Sequence, residues 1–192
     1  LLKTIAPQGV ASTGIATGFI TSYTYDGAGR VLTSTDTLGR LTGNQYDDAG
    51  NQTITTLANG LTTTSTYDKA GALLSVIQTN GATALGTTRY WYDADGRVRM
   101  TQDPTGVKST MLYDAAGRTV ASVQADGSLT EWMYNANNQV IRTITYATAV
   151  TAASLARLAD AGGNPANVTL AGIRPAAGGN DRSEWSLYDN AG

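Results

Sequence analysis

The strings "YDGAGR" (from residue 25), "YDDAGN" (46), "YDKAGA" (67), "YDADGR" (92), "YDAAGR" (113), "YNANNQ" (134) and "YDNAG" (188) punctuate this 192-residue chain. Their tyrosines, Tyr25, Tyr46, Tyr67, Tyr92, Tyr113, Tyr134 and Tyr188, stand 21, 21, 25, 21, 21 and 54 residues apart. The period is therefore 21, lengthened by 4 residues once and by 33 once. Self-similarity of this kind leaves few folds open, because each unit is one supersecondary piece that buries its surface only against its neighbours.

Two columns of the repeat specify a turn. Four residues after the tyrosine stand Gly29, Gly50, Gly71, Gly96, Gly117 and Gly192, with Asn138 in the deviating copy. Gly and Asn tolerate left-handed backbone, so this column reads as a requirement for positive φ. Directly after the tyrosine stand Asp26, Asp47, Asp68, Asp93, Asp114 and Asp189, with Asn135 in that same copy. An Asp or Asn opening a type I turn that closes on a left-handed Gly spells a short hairpin loop with a bulge. The side-chain oxygen caps turn N–H groups and needs no charge to do so. These residues are read as structural turn residues, and the seven tyrosines as packing anchors.

A second glycine column, Gly39, Gly60, Gly81, Gly106 and Gly127, follows the first five tyrosines by 14 residues. Between the two turns lie "RVLTSTD", "ALLSVIQ" and "RTVASVQ", rich in the Val, Ile, Leu and Thr of strands. Each unit reads as a strand, a distal turn, a return strand ending in the tyrosine, and a proximal turn. The fold class expected is all-β, a continuous antiparallel meander of hairpin repeats. Turn glycines this frequent exclude a helical repeat. Offsets +6, +8 and +10 from the tyrosine carry Val31, Ile54, Met100, Val123 and Ile144, but also Thr33, Ser75 and Arg142. Odd offsets carry Leu32, Val76 and Val120 among Thr, Ser and Arg99. Neither face reads as a clean core face, which predicts an extended sheet with two moderately polar faces that curls or closes to protect its edges.

Both length changes fall at or just after the distal turn. "ATAL" (82–85) follows Gly81, and the 33 extra residues follow "TITYAT", where Thr148 stands in place of the distal glycine. The N-terminal stretch repeats this pattern: "APQGV" at 6–10 resembles "DPTGV" at 103–107, and extra residues precede "FITSYTY". Embellishment is thus confined to the distal edge, and the YDxxG edge is kept tight for the packing of a next layer. Within the long insertion, "TAASLARLADAGG" (151–163) reads as a short amphipathic helix. Thr151 is its N-cap, Leu155, Leu158 and Ala159 share a face, and Gly162-Gly163 stop it. "RSEWSLYD" then matches "LTEWMYN", and the shared Glu131-Trp132 and Glu184-Trp185 mark a recovered register. On this reading the chain is β-ribbon over 1–147, a helix-and-loop insertion over 148–181 and resumed β-ribbon over 182–192. It opens at Leu1 without Met and stops inside a repeat string, which reads as an internal piece of a longer chain.

Composition narrows function by exclusion. A charged fraction of 15% and a net charge of -2 leave no basic footprint for nucleic acid. No apolar run approaches a membrane span, and nothing resembles a signal peptide. His and Cys are both absent, so disulfides, thiol sites, Ser-His or Cys-His nucleophiles and histidine metal ligation are impossible within the chain.

The remaining chemical readings are weighed against plainer ones. Calcium loops need several oxygens converging on the ion, whereas each turn offers one carboxylate and Asn135 replaces it once; no metal is assigned. The sequence pairs Asp47/Asp48 and Asp93/Asp95 diverge into solvent in a turn, so no catalytic or cofactor-binding residue is assigned. "DPTG" at 103–106 also occurs in self-cleaving cores but sits in an ordinary distal turn. "NVT" at 167–169 fits a glycosylation acceptor, a triplet common by chance. The aromatics Tyr23, Tyr25, Tyr90, Trp91, Tyr92, Trp132, Tyr134, Trp185 and Tyr188 cluster at the ends of return strands. Their first reading is packing mass in a sheet of Thr and Ala; the second makes Trp91, Trp132 and Trp185 ring platforms for surface carbohydrate.

The tandem YDxxGR strings resemble the YD repeats of RHS proteins, relatives of the insecticidal toxin-complex shells and of teneurins, over residues 19–148 and 183–192. The resemblance implies a β-hairpin ribbon that spirals into a hollow shell. In bacteria such a shell often encloses a C-terminal toxin domain, and some members act at the cell surface or wall. It further implies a secreted or surface-located, structural, non-enzymatic segment whose partners are flanking YD repeats of the same chain and an enclosed toxin. Residues such as Tyr113, Asp114 and Gly117 carry structural roles in that family. Its C-terminal core with self-cleaving aspartates has no counterpart in this sequence, and the insertion at 148–181 lies outside the basic repeat. The competing reading is a surface adhesin or carbohydrate-binding β-repeat that uses the strand-end aromatics.

Overall fold

The structure, a computed structural model, describes residues 2–5, 10–11, 14–15 and 20–189, with side chains from residue 20 onward. The chain forms two compact units, Leu1–Thr88 and Arg89–Gly192. Both are all-β, built of antiparallel strands in open-sheet order. The first unit contains β1 (Leu2–Ile5), the short β2 (Val10–Ala11) and β3 (Gly14–Ile15), β4 (Ile20–Tyr25), β5 (Val31–Thr35), β6 (Leu41–Tyr46), β7 (Gln52–Thr56), β8 (Leu61–Tyr67), β9 (Leu73–Asn80) and the first part of β10 (Thr83–Tyr92). Here β1 pairs with β4, strands β4 to β9 follow in chain order, and β2 with β3 forms a small separate hairpin. Residues 6–9 and 16–19, which hold most of "APQGV" and the start of "FITSYTY", lie outside the described residues, as does Gly192.

No described side chain of this first unit is buried. It is a single layer with two moderately polar faces, held by its ladder and by cross-strand hydroxyl pairs such as Thr24–Thr33 at 2.6 Å and Thr66–Ser75 at 2.8 Å.

The second unit takes the end of β10 and adds β11 (Val98–Gln102), β12 (Lys108–Tyr113), β13 (Thr119–Gln124), β14 (Leu129–Tyr134), β15 (Val140–Thr145), a short helix α1 (Ala152–Ala156) and β16 (Arg182–Trp185). Its sheet does have a core face, contrary to the sequence expectation. Met100, Leu112, Ala121, Val123, Leu129 and Ile144 are buried, and the pairings Leu112↔Ala121, Val123↔Leu129 and Glu131↔Ile144 put them on one side. Tyr146, just after β15, and Val150, Leu158 and Ile173 of the insertion cover them.

Parity missed this face for a definite reason. In every proximal hairpin the register shifts at the tyrosine: Leu112 pairs with Ala121, yet Tyr113 pairs with Thr119. The residue at +7 is therefore an unpaired bulge, and offsets +6 and +8 point to opposite faces. Sorting offsets by even and odd mixes the two.

The proximal turns share one geometry. In the copy from Tyr113, the Asp114 N–H donates to Arg118 O at 3.0 Å and the Gly117 N–H to Asp114 O at 3.0 Å. Gly117 has φ +81°, and Asn138, in the matching place, has φ +62°; among the described residues it is the one non-glycine with positive φ. Distal turns such as Asp36–Arg40 and Asp103–Val107 close in the same way.

The helix is shorter than the sequence suggests. Thr151 caps α1 by accepting the Ser154 N–H at 3.2 Å, but the helix ends at Ala156. "DAGGN" (160–164) instead makes another Asp-x-x-Gly turn: Asp160 N–H donates to Asn164 O at 2.8 Å, and Gly163 N–H to Asp160 O at 2.9 Å. The carboxylate of Asp160 accepts the N–H groups of Gly162 and Asn164, competing with the helix for the same backbone donors.

Candidate functional site

Each repeat string assembles one small polar site at the proximal edge. Asp114 Oδ1 accepts the N–H groups of Ala116 and Arg118, both at 2.9 Å, and Oδ2 accepts Nε of Arg118 at 2.7 Å. The guanidinium of Arg118 then lies 4.7 Å from the ring centroid of Tyr134, in the next repeat. Arg30 over Tyr46 and Arg97 over Tyr113 repeat this stack at 4.6 Å. The tyrosine hydroxyl reaches back to the previous repeat. Tyr46 donates to Val31 O, Tyr67 to Gln52 O, Tyr113 to Val98 O and Tyr134 to Thr119 O, at 2.6–3.0 Å. Tyr188 does the same to Val140 O at 2.9 Å across the whole insertion.

Where position +5 is not arginine, the Asp column finds another donor or only the backbone. Asn51 Nδ2 serves Asp47, Gln139 takes the amide of Asn135, and Asp68 accepts the N–H groups of Ala70 and Ala72. Hydrogen bonding holds the carboxyls of Asp26 and Asp47 below the ordinary aspartate range. For Asp26 the largest cause is the Arg30 N–H, followed by the Arg30 side chain; for Asp47 it is the Asn51 side chain. The carboxylate oxygens are thus occupied by the turn itself. Among the described residues no cluster of three or more acidic side chains could hold a metal ion.

A second polar assembly fixes the insertion to its sheet, and sequence reasoning did not single it out. Glu131 is 4% exposed on the core face. Arg174 grips it with Nε to Oε2 at 2.9 Å and Nη2 to Oε1 at 2.6 Å, and Tyr146 donates its hydroxyl to Oε2 at 2.7 Å. Burial first, and then the Glu131 hydrogen bond, push the Tyr146 hydroxyl up to about 12. Arg99 occupies a bulge position and is 8% exposed. It donates to Met111 O of β12 at 2.5 Å and to Val168 O of the irregular segment at 2.9 Å; its burial lowers its pKa. The available signals were the one charged residue in strand β14, otherwise Leu, Thr, Trp, Met and Tyr, and an arginine in the bulge column.

The insertion crosses the sheet from the distal turn toward the proximal edge. The Val150 N–H donates to Gly127 O at 2.8 Å, and a Cβ on Gly127 would meet Val150 O at 2.8 Å, so only glycine admits this contact. Where the segment Pro165–Ala171 approaches the Asp93 turn, an open cleft of 720 Å³ remains, lined by Asp95, Arg97, Arg99, Tyr113 and Asn167 among others.

The three tryptophans do not converge. Trp91 pairs with Met100 and Trp185 with Arg142, which puts both on the core face, whereas Trp132 pairs with Thr143 on the other face. Lys108 lies over Trp91 at 5.3 Å and Arg142 over Trp185 at 4.7 Å. The shared Glu-Trp steps are likewise out of phase: Glu131 faces the core, while Glu184 pairs with Thr143 on the opposite side. The match of the two Glu-Trp steps is corrected here, because Trp132 precedes its tyrosine by two residues and Trp185 by three, and a one-residue slip exchanges faces; the repeat register itself is recovered at Tyr188, whose hydroxyl reaches Val140 O.

Comparison with known proteins agrees with this architecture. Residues 46–83 match the RHS repeat family model. No curated protein matches the chain. Among solved structures, TcdB2-TccC3 without its hypervariable C-terminal region aligns with a TM-score of 0.52 and 21% identity, over 66% of this chain and 7% of that one. TcdB2-TccC3-Cdc42 aligns with a TM-score of 0.50 and 16% identity, over 90% of this chain and 13% of that one. The likeness is one of fold, and the chain spans a small fraction of the length of either neighbour.

Proposed function

We propose, from the RHS repeat that residues 46–83 carry, that this chain is a structural, non-catalytic stretch of a β-ribbon wall in a longer secreted or surface-located protein. Flanking repeats of the same polypeptide are its partners, and the wall surrounds a toxin or other cargo. The supporting observation is that the repeated side chains serve one another. The tyrosine latches bind the preceding repeat, and the turn carboxylates are taken up by their own turns. A site built for substrate leaves such groups facing a ligand.

The test is electron microscopy of the longer natural polypeptide together with glycan-array binding by this chain. A hollow particle with enclosed density and no saturable glycan binding is the expected result. Saturable binding that is lost in Trp132→Ala or Trp185→Ala with the fold intact would replace the wall with an adhesin. The exposed ring of Trp185 (66%) is the feature that favours this second reading.

A further inference from the structure

The sequence contains two Asn-Gly steps, Asn59-Gly60 and Asn80-Gly81, and the fold treats them differently. In this dipeptide the backbone nitrogen after asparagine can attack the side-chain amide, and glycine leaves that nitrogen unshielded and its backbone free to move. At Asn59 both reacting groups are engaged: Oδ1 accepts the Leu61 N–H at 3.1 Å, and the Gly60 N–H donates to Leu57 O at 2.9 Å. Asn80 is exposed at the end of β9 and enters the two-residue loop Gly81–Ala82. Neither its side-chain amide nor the Gly81 N–H makes a hydrogen bond among the described residues. The absent side chain of Gly60 keeps space beside it, since a Cβ there would stand 3.3 Å from Asn80 Oδ1.

We propose that Asn80 is a site of spontaneous deamidation and isoaspartate formation, and that its own turn protects Asn59. The Gly81 nitrogen gives its proton to solvent base and bonds to Cγ of Asn80. The tetrahedral centre expels the side-chain nitrogen as ammonia and leaves a succinimide. Water then opens the ring at either carbonyl, giving aspartate or isoaspartate. One water is consumed, one ammonia is released, and no oxidant or reductant takes part. Isoaspartate inserts one carbon into the main chain where Asn80 pairs with Leu61 of β8, and either product adds a negative charge.

The folded protein is held at mildly alkaline pH and physiological temperature, then digested. Peptides are followed by mass spectrometry, with isoaspartate labelled by L-isoaspartyl methyltransferase. Asn80 is expected to convert at least about tenfold faster than Asn59, the factor set by two hydrogen bonds that must break first at Asn59. In denaturant the two rates are expected to converge. Equal rates in the folded protein, faster conversion at Asn59, or a difference that survives denaturation would overturn the proposal. Asn80→Gln, with a longer and slower-cyclising side chain, is expected to remove the isoaspartate signal from that peptide and leave Asn59 unchanged; persistence of the signal also counts against it.

Discussion

Gly117 and Asp114 share one turn but differ in how replaceable they are. Gly117 sits at φ +81°, and a Cβ there would approach Arg97 Nη1 to 3.3 Å. Gly117→Val is expected to destabilise by more than about 1 kcal/mol, since a β-branched residue does not adopt this backbone. Asp114→Asn keeps the N–H caps and loses an ion pair whose side chains are 30% and 23% exposed, so its cost is expected to stay below about 1 kcal/mol. Urea unfolding of the two variants against the parent checks both; equal midpoints would contradict the left-handed requirement. Nature has run a version of this comparison at Asn135 and Asn138, where the turn closes with the same backbone bonds.

The insertion is an element attached at a few points, and its attachment is testable. Arg174→Ala leaves the buried carboxylate of Glu131 with only the Tyr146 hydroxyl. Arg174 is itself 44% exposed, so the cost is expected at about 1–3 kcal/mol, below that of a fully buried pair. Gly127→Ala forces a Cβ against Val150 O and is expected to release the same segment. Limited proteolysis between residues 150 and 180 reads both variants; unchanged cleavage kinetics would show that the insertion holds by other contacts. The antiparallel hairpin repeat was legible in sequence because backbone geometry dictates Asp, Gly and Asn at set offsets. The core face was not legible. A bulge at +7 inverts parity at the start of each outgoing strand, and three of the residues that make this face a core, Val150, Leu158 and Ile173, come from the insertion. The helix was overread because Asp160 and Gly163 belong to the turn code already recognised elsewhere in the chain. The three tryptophans were grouped by position in the repeat, which says nothing about which face a strand presents after a one-residue offset.

At the scale of the whole molecule, the repeated turn chemistry makes stability depend on pH in one direction. Asp26, Asp36, Asp47 and Asp160 all have folded pKa values below the ordinary one, each with a hydrogen bond as the leading cause. A depressed carboxyl contributes stability that is present above the unfolded value, about 4, and is lost as pH falls through the folded value. The urea midpoint is therefore expected to be flat at neutral pH and to drop as the solution is acidified below about 4. A midpoint that stays constant through the carboxylate range would show that the caps form equally well with neutral acids.

The tyrosine latch carries one more implication. Tyr113 reaches Val98 across 15 residues and Tyr188 reaches Val140 across 48, with nearly the same hydrogen bond at the end. What the latch measures is adjacency of repeats at the proximal edge, and chain length spent at the distal edge does not enter. Distal loops are therefore free to lengthen, shorten or acquire new segments over evolutionary time without renegotiating how one repeat grips the next, and the same positions are the natural places to graft a foreign peptide.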